Sequence, residues 1–232
     1  METGRGAASS PLSFTPSGRL LAWALILGTV LVANGARDEE PPRPSARQGF
    51  SAPERPAPAA TATSATPSPA PSVRPLPPSP PVRIRVPAVG VSARVAGLAL
   101  DETGALEAPP ADPPGVVGWY AGGTTPGSAG TAVTAGHVDT TAGPGVFYSL
   151  GALDKGDAVE VQREDGRTAV FTVDAVELYA KRHFPDEKVY GSSGRPELRL
   201  ITCGGDYSEH TGYQGNVVVY ASLTEVRRGP DI

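Results

Sequence analysis

Residues 82–226 predict a mainly β fold, about eight short strands closed or nearly closed into a barrel, and three features carry that expectation. From Val82 onward, short apolar alternations are separated by Gly, Pro and Asp, with little sustained helical periodicity. Asp165-Gly166 stands between the alternations at 158–161 and 169–173, the signature of a tight hairpin whose two strands pair. About eight such runs would leave exposed edges unless the sheet closed on itself.

The elements are justified in chain order. Residues 1–19 carry Arg5 and Arg19 ahead of an uncharged apolar run at 20–33, followed by Arg37, Asp38, Glu39 and Glu40. That run reads as a membrane-insertion signal. It is about 14 residues long, against roughly 20 for an ideal spanning helix, and 18–36 extends it if Arg19 snorkels. An uncleaved anchor over 20–36 and a signal cleaved after the small-x-small stretch Ala33-Asn34-Gly35 both fit, the anchor being favoured because a long stalk follows. The basic excess before the run puts residues 1–19 in the cytoplasm and the rest outside, a single-pass arrangement at the cell membrane.

Residues 37–81 are dominated by Pro, Ala, Ser and Thr, hold much of the chain's 26 prolines, and are expected to be a disordered, extended linker. What remains, about 150 residues, suffices for one core and one domain, with a short tail at 227–232. Strands are expected at 82–86, 105–107, 118–121, 130–135, 157–162, 168–180, 197–203 and 216–223. Asp101-Glu102-Thr103-Gly104 reads as a turn, and the piece at 146–150 as one helical turn. A formal net charge of −4 with scattered basic residues gives no footprint for nucleic acid.

The chain has one cysteine, Cys203, so an internal disulfide is excluded and three roles remain: core residue, intermolecular link or nucleophile. Gly204-Gly205 is expected to end its strand, leaving the sulfur at a sheet end beside flexible backbone. His137 follows the apolar run 131–135 through Gly136 and sits at another strand end, where it can serve a thiol as acid and base. Asp139 is placed to orient that imidazole or to shape the loop. His183 and His210 read as exposed loop residues. Three histidines without metal-ligand spacing give no basis for a metal site, and no cofactor is expected.

These residues carry a resemblance. Thr-Ala-Gly-His-Val-Asp at 134–139, Gly-Val-Phe-Tyr-Ser-Leu at 145–150, Leu-Ile-Thr-Cys-Gly-Gly at 200–205 and Asn-Val-Val-Val-Tyr-Ala at 216–221 resemble the sortases, most closely the class F type of high-GC Gram-positive bacteria. The resemblance implies an eight-stranded β-barrel and a cysteine transpeptidase that cleaves an LPXTG-like sorting signal on secreted proteins. The acyl group would pass through a thioester on Cys203 to an amine of the cell envelope, with His137 moving the protons.

One departure stands out. Sortases typically carry an arginine on or just before the last strand, and no arginine lies between Cys203 and Arg227 here. Gln214 or Asn216 could donate a neutral hydrogen bond in its place, and Arg199 is the other candidate if strand alternation puts it on the face of Cys203. The same departure motivates an alternative, a catalytically weak or inactive sortase-like domain that binds a sorting peptide or wall component. A cysteine transpeptidase acting on D-amino-acid links lacks support, because its compact His-Gly-Cys motif is missing.

Overall fold

The computed structural model describes residues 40–51, 73–111 and 115–228. The apolar run at 20–36, expected as a membrane-insertion signal, lies outside them. Among the described residues no helix is long and apolar enough to cross a membrane.

Ten strands are described: β1 (Pro81–Val86), β2 (Val91–Leu98), β3 (Val116–Tyr120), β4 (Gly130–Ala135), β5 (Asp139–Thr140), β6 (Gly143–Pro144), β7 (Ala158–Arg163), β8 (Arg167–Ala180), β9 (Pro196–Ser208) and β10 (Gly212–Arg228). Eight close a barrel in the order β1-β2-β3-β4-β9-β10-β8-β7, while β5 and β6 form a separate two-stranded ribbon. One short helix, α1 (Asp186–Tyr190), joins β8 to β9. The barrel is filled by the inward residues of each alternation, among them Ile84, Val117, Phe171, Leu198, Leu200 and Val219, all essentially buried. Phe147, Leu150 and Leu153, from the connection after β6, are buried in the same core.

The expected barrel is present, with three differences. β2 was not expected: its inward Ala93 is small and Gly97 interrupts the alternation, so its sequence lacks the bulky period-two pattern, yet it pairs with both β1 and β3. The strand expected at 105–107 reduces to a single bridge, Leu100 to Leu106. β9 does not stop at Gly204-Gly205. It runs on to Ser208 against β10, with Gly205 at φ +80° and a register shift opposite, so Cys203 lies within a strand.

Two pieces of the stretch expected as linker lie against the barrel. β7 pairs with β8 only from residue 168 to 172, which leaves the second half of β8 with one open edge. Residues 45–51 cover part of it: the Val176 amide donates to the Gln48 carbonyl, and the buried Gln48 amide donates to the carbonyls of Gly151 and Leu153. Covering an edge in this way blocks pairing with another chain. Residues 76–80 bond the opposite end, with buried Arg163 donating to the carbonyls of Pro77 and Pro126.

Candidate active site

Two register relations bring the candidate residues together. β4 runs parallel to β9 with Ala135 level with Ile201, so continuing the register sets His137 level with Cys203. The loop is locked there by two bonds: the Gly136 amide donates to the Ile201 carbonyl (3.1 Å), and the Thr202 hydroxyl donates to the Gly136 carbonyl (2.8 Å). On the other side, β10 sets Asn216 directly opposite Cys203. The loop leaving β4 and the strands β9 and β10 thus deliver an imidazole, a thiol and an amide at one level.

The local sequence explains why the loop holds. A Cβ at residue 136 would lie 2.5 Å from the Phe147 ring, so only glycine lets the chain pass this close to the core. The Phe147 amide in turn donates to the His137 carbonyl at 3.0 Å, rooting the histidine backbone on a fully buried side chain.

His137, Cys203 and Asn216 line one cleft of about 740 Å³, within the range of small-ligand sites. Its floor is the outer face of β4 and β9, contributed by Thr131, Val133, Ala135 and Ile201. Its walls come from the β2–β3 connection, from Tyr120 on β3, and from Asp186, Tyr190 and Ser192 around α1. Both Cys203 and His137 are half-buried, reachable yet partly shielded from water. No Lys or Arg is among the described residues lining this cleft.

The remaining candidates are placed elsewhere. Gln214 is exposed and turned back on its own hairpin, donating to the Thr211 hydroxyl and the Gly212 carbonyl. Arg199 is on the outer face of β9 with Cys203, as alternation requires, but four residues away, roughly 13 Å along the strand. It is buried outside the cleft, ion-paired with Glu197 at 2.6 Å and stacked on the Tyr220 ring. Asp139 does not bond the imidazole. It accepts a 2.5 Å hydrogen bond from Tyr213 at the tip of the β9–β10 hairpin, which ties the histidine loop to the cysteine hairpin. Burial and then that carboxylate push the Tyr213 hydroxyl well above its usual pKa, so it stays a donor at physiological pH. His183 and His210 are exposed.

Sequence reasoning overlooked two partners: Tyr213, and the carbonyl of Pro109, which meets His137 Nε2 at 2.7 Å. Pro109-Pro110 in a Gly- and Pro-rich connection was the only available signal for the latter, since a backbone acceptor has no residue signature.

A family model described as the sortase domain matches residues 84–224. No curated protein matches the chain. Among solved structures, sortase A of Listeria monocytogenes is similar at 18% identity and a TM-score of 0.50, over 65% of this chain and 92% of that one. The SrtA sortase of Actinomyces oris aligns at 19% identity over 69% of this chain and 89% of that one, with a TM-score of 0.46. Sortase A of Corynebacterium diphtheriae aligns at 18% over 64% of this chain and 62% of that one, with a TM-score of 0.47.

Proposed function

The chain belongs to the sortase family, and on that premise we propose that it is a membrane-tethered cysteine transpeptidase of the class F type that cleaves an LPXTG-like signal and joins the new acyl end to an amine of a Gram-positive cell envelope. The observation that carries this reading is the meeting of Cys203, His137 and Asn216 at one level of a single cleft.

In the first half-reaction the Cys203 thiolate attacks the scissile carbonyl carbon, and the carbonyl electron pair moves onto oxygen. The Asn216 side chain, which faces Cys203 across the hairpin, donates to that oxyanion. The C–N bond then breaks, His137 gives its proton to the departing amine, and a thioester remains on Cys203. In the second half-reaction an envelope amine attacks the thioester and gives a proton to His137. The C–S bond breaks and the thiolate returns. The N-terminal run at 20–36 would hold the domain on the outer side of the cell membrane, where sorting-signal-bearing secreted proteins and envelope amines both occur.

Incubating the purified protein with an LPXTG-type peptide and an amine acceptor, with intact-mass detection, tests this directly. An acyl adduct and amine-dependent product, both lost in Cys203→Ala, are expected. A second reading, a weak or inactive domain that binds the peptide without turnover, is favoured by one observation: a neutral amide stands opposite Cys203, with no Lys or Arg among the described residues lining the cleft. Saturable peptide binding with no adduct would select it.

A further inference from the structure

The mechanism needs one imidazole nitrogen free to exchange protons, and the β2–β3 connection decides which. A carbonyl oxygen only accepts, so the 2.7 Å contact between Pro109 and His137 requires a proton on Nε2. In the neutral ring the lone pair then lies on Nδ1. We infer that the Pro109 carbonyl is the orienting partner of His137, a positioning residue that holds the Nε2–H tautomer and leaves Nδ1 to exchange protons with the departing and incoming amines. This rests on the acid-base role given to His137 above.

The carbonyl is built to stay in place. The ring of Pro109 fixes its own φ near −65°, and Pro110 restricts the ψ of the residue before it, so both dihedrals that aim this carbonyl are narrowed by covalent structure. Pro109 is buried, while Glu107, Ala108 and Pro110 around it are exposed, so the loop presses one residue inward. Upstream it is anchored by a small closed hairpin. The Glu107 amide donates to the Ala99 carbonyl at 3.1 Å, and the Glu107 carboxylate accepts from the Ala99 amide at 3.3 Å. At its tip the Asp101 carboxylate accepts from Thr103 and from the Ala105 amide, bonds that hold its pKa below the ordinary value. In this arrangement a rigid backbone acceptor does for the imidazole what a carboxylate does in hydrolytic triads.

The test uses the full chain with isotope-labelled histidine and long-range proton–nitrogen correlation spectra, taken at a pH where the imidazoles are neutral. His210, exposed in the β9–β10 turn, supplies the unconstrained tautomer mixture for comparison. Wild-type His137 is expected as Nε2–H alone. Pro110→Ala changes an exposed residue that does not line the cleft; it releases the ψ of Pro109, frees the φ of residue 110 and restores one backbone N–H at an exposed position. It is expected to move His137 toward the His210 mixture and to lower kcat about tenfold with KM unchanged, about the worth of one residue's freed backbone. Pro109→Ala, which keeps Pro110 and so the ψ restriction, should fall between the two. An Nδ1–H tautomer in the wild type overturns the inference, as does an unchanged His137 spectrum in Pro110→Ala whatever its kcat. Loss of the functional reading is separable: if His137→Ala still transfers amines, the acid-base role falls while the tautomer result stands.

Discussion

Arg199 and Cys203 sit on the same strand and on the same outer face, and they have opposite fates. Arg199 lies at the closed half of β9. Its guanidinium is stacked 4.5 Å from the Tyr220 centroid and paired with Glu197, and its Nε is buried without a partner. Tyr220 itself belongs to an outer cluster with Val189 of α1, Val218 and Ala175. Cys203 lies at the open half, half-buried in the cleft. Ile201, between them, packs against the outer cluster and also lines the cleft, so it marks the boundary. One alternating strand therefore supplies a charge committed to the fold and a thiol open to the cleft. What separates them is not the strand but the elements laid over it.

The sharpest way to test that division is to remove each side chain and read activity and stability together. Cys203→Ala should abolish adduct formation and turnover while leaving the melting temperature close to wild type. Arg199→Ala should do the reverse: it removes one partner of the buried Glu197 carboxylate, which keeps the Ser193 hydroxyl and Arg195, and is expected to cost about 1–3 kcal/mol in denaturant unfolding, with thiol reactivity retained in the folded fraction. Replacing both partners at once, Glu197→Leu with Arg199→Met, should recover most of that loss, because well-packed apolar side chains avoid the desolvation of two charges. A catalytic collapse in a stably folded Arg199 variant would break the comparison, since it would put the guanidinium in the chemistry.

A smaller effect belongs to the open half. Asn216→Ala should lower kcat about a hundredfold with KM little changed, the usual cost of losing one donor to a developing oxyanion. If it instead raises KM alone, Asn216 binds the substrate without assisting the chemistry.

The closed half also carries a pH signature. Burial works to raise the Glu197 pKa, but hydrogen bonds from Ser193 and Arg199 outweigh it and leave the carboxyl below its ordinary value. A carboxylate with a depressed folded pKa stabilises the fold above its unfolded pKa, and that contribution is lost as pH falls through the folded value. Acid unfolding of the wild type should therefore show a loss over that interval which Glu197→Gln lacks. The smallest effect is expected at the tie between the His137 loop and the Cys203 hairpin. Tyr213→Phe removes one hydrogen bond to exposed Asp139 and should cost about 1 kcal/mol or less in stability, with a several-fold loss in kcat if the tie aligns His137 with Cys203.

The legible parts of this molecule are those with a local signature. The hairpin at Asp165-Gly166, the β4 strand at 130–135 and the long β8 alternation all appear where period-two patterning and turn chemistry place them. β2 escaped because Ala93 and Gly97 blunt its alternation, and the end of β9 because two glycines that suggested a break are carried through by pairing with β10. At the site, Cys203, His137 and Asn216 were visible as residue types. Their convergence depends on the parallel β4–β9 register and the antiparallel β9–β10 register, which join segments about 70 residues and about 13 residues apart.

By itself the sequence determined the β class, the barrel's alternating inner face, the lone thiol with its upstream histidine, and the absence of an arginine before the last strand. Those properties depend on residue type and on periods of two, which act over a few neighbouring positions. Only the tertiary structure decided which outward residue is sealed and which is open, that Asp139 bonds Tyr213 rather than the imidazole, and that a proline carbonyl meets His137. It also decided that residues 45–51 cover the open edge of β8. Each of these is a contact between residues distant in the chain, set by closure of the barrel and by the loops laid on its outer face, where no local period carries information.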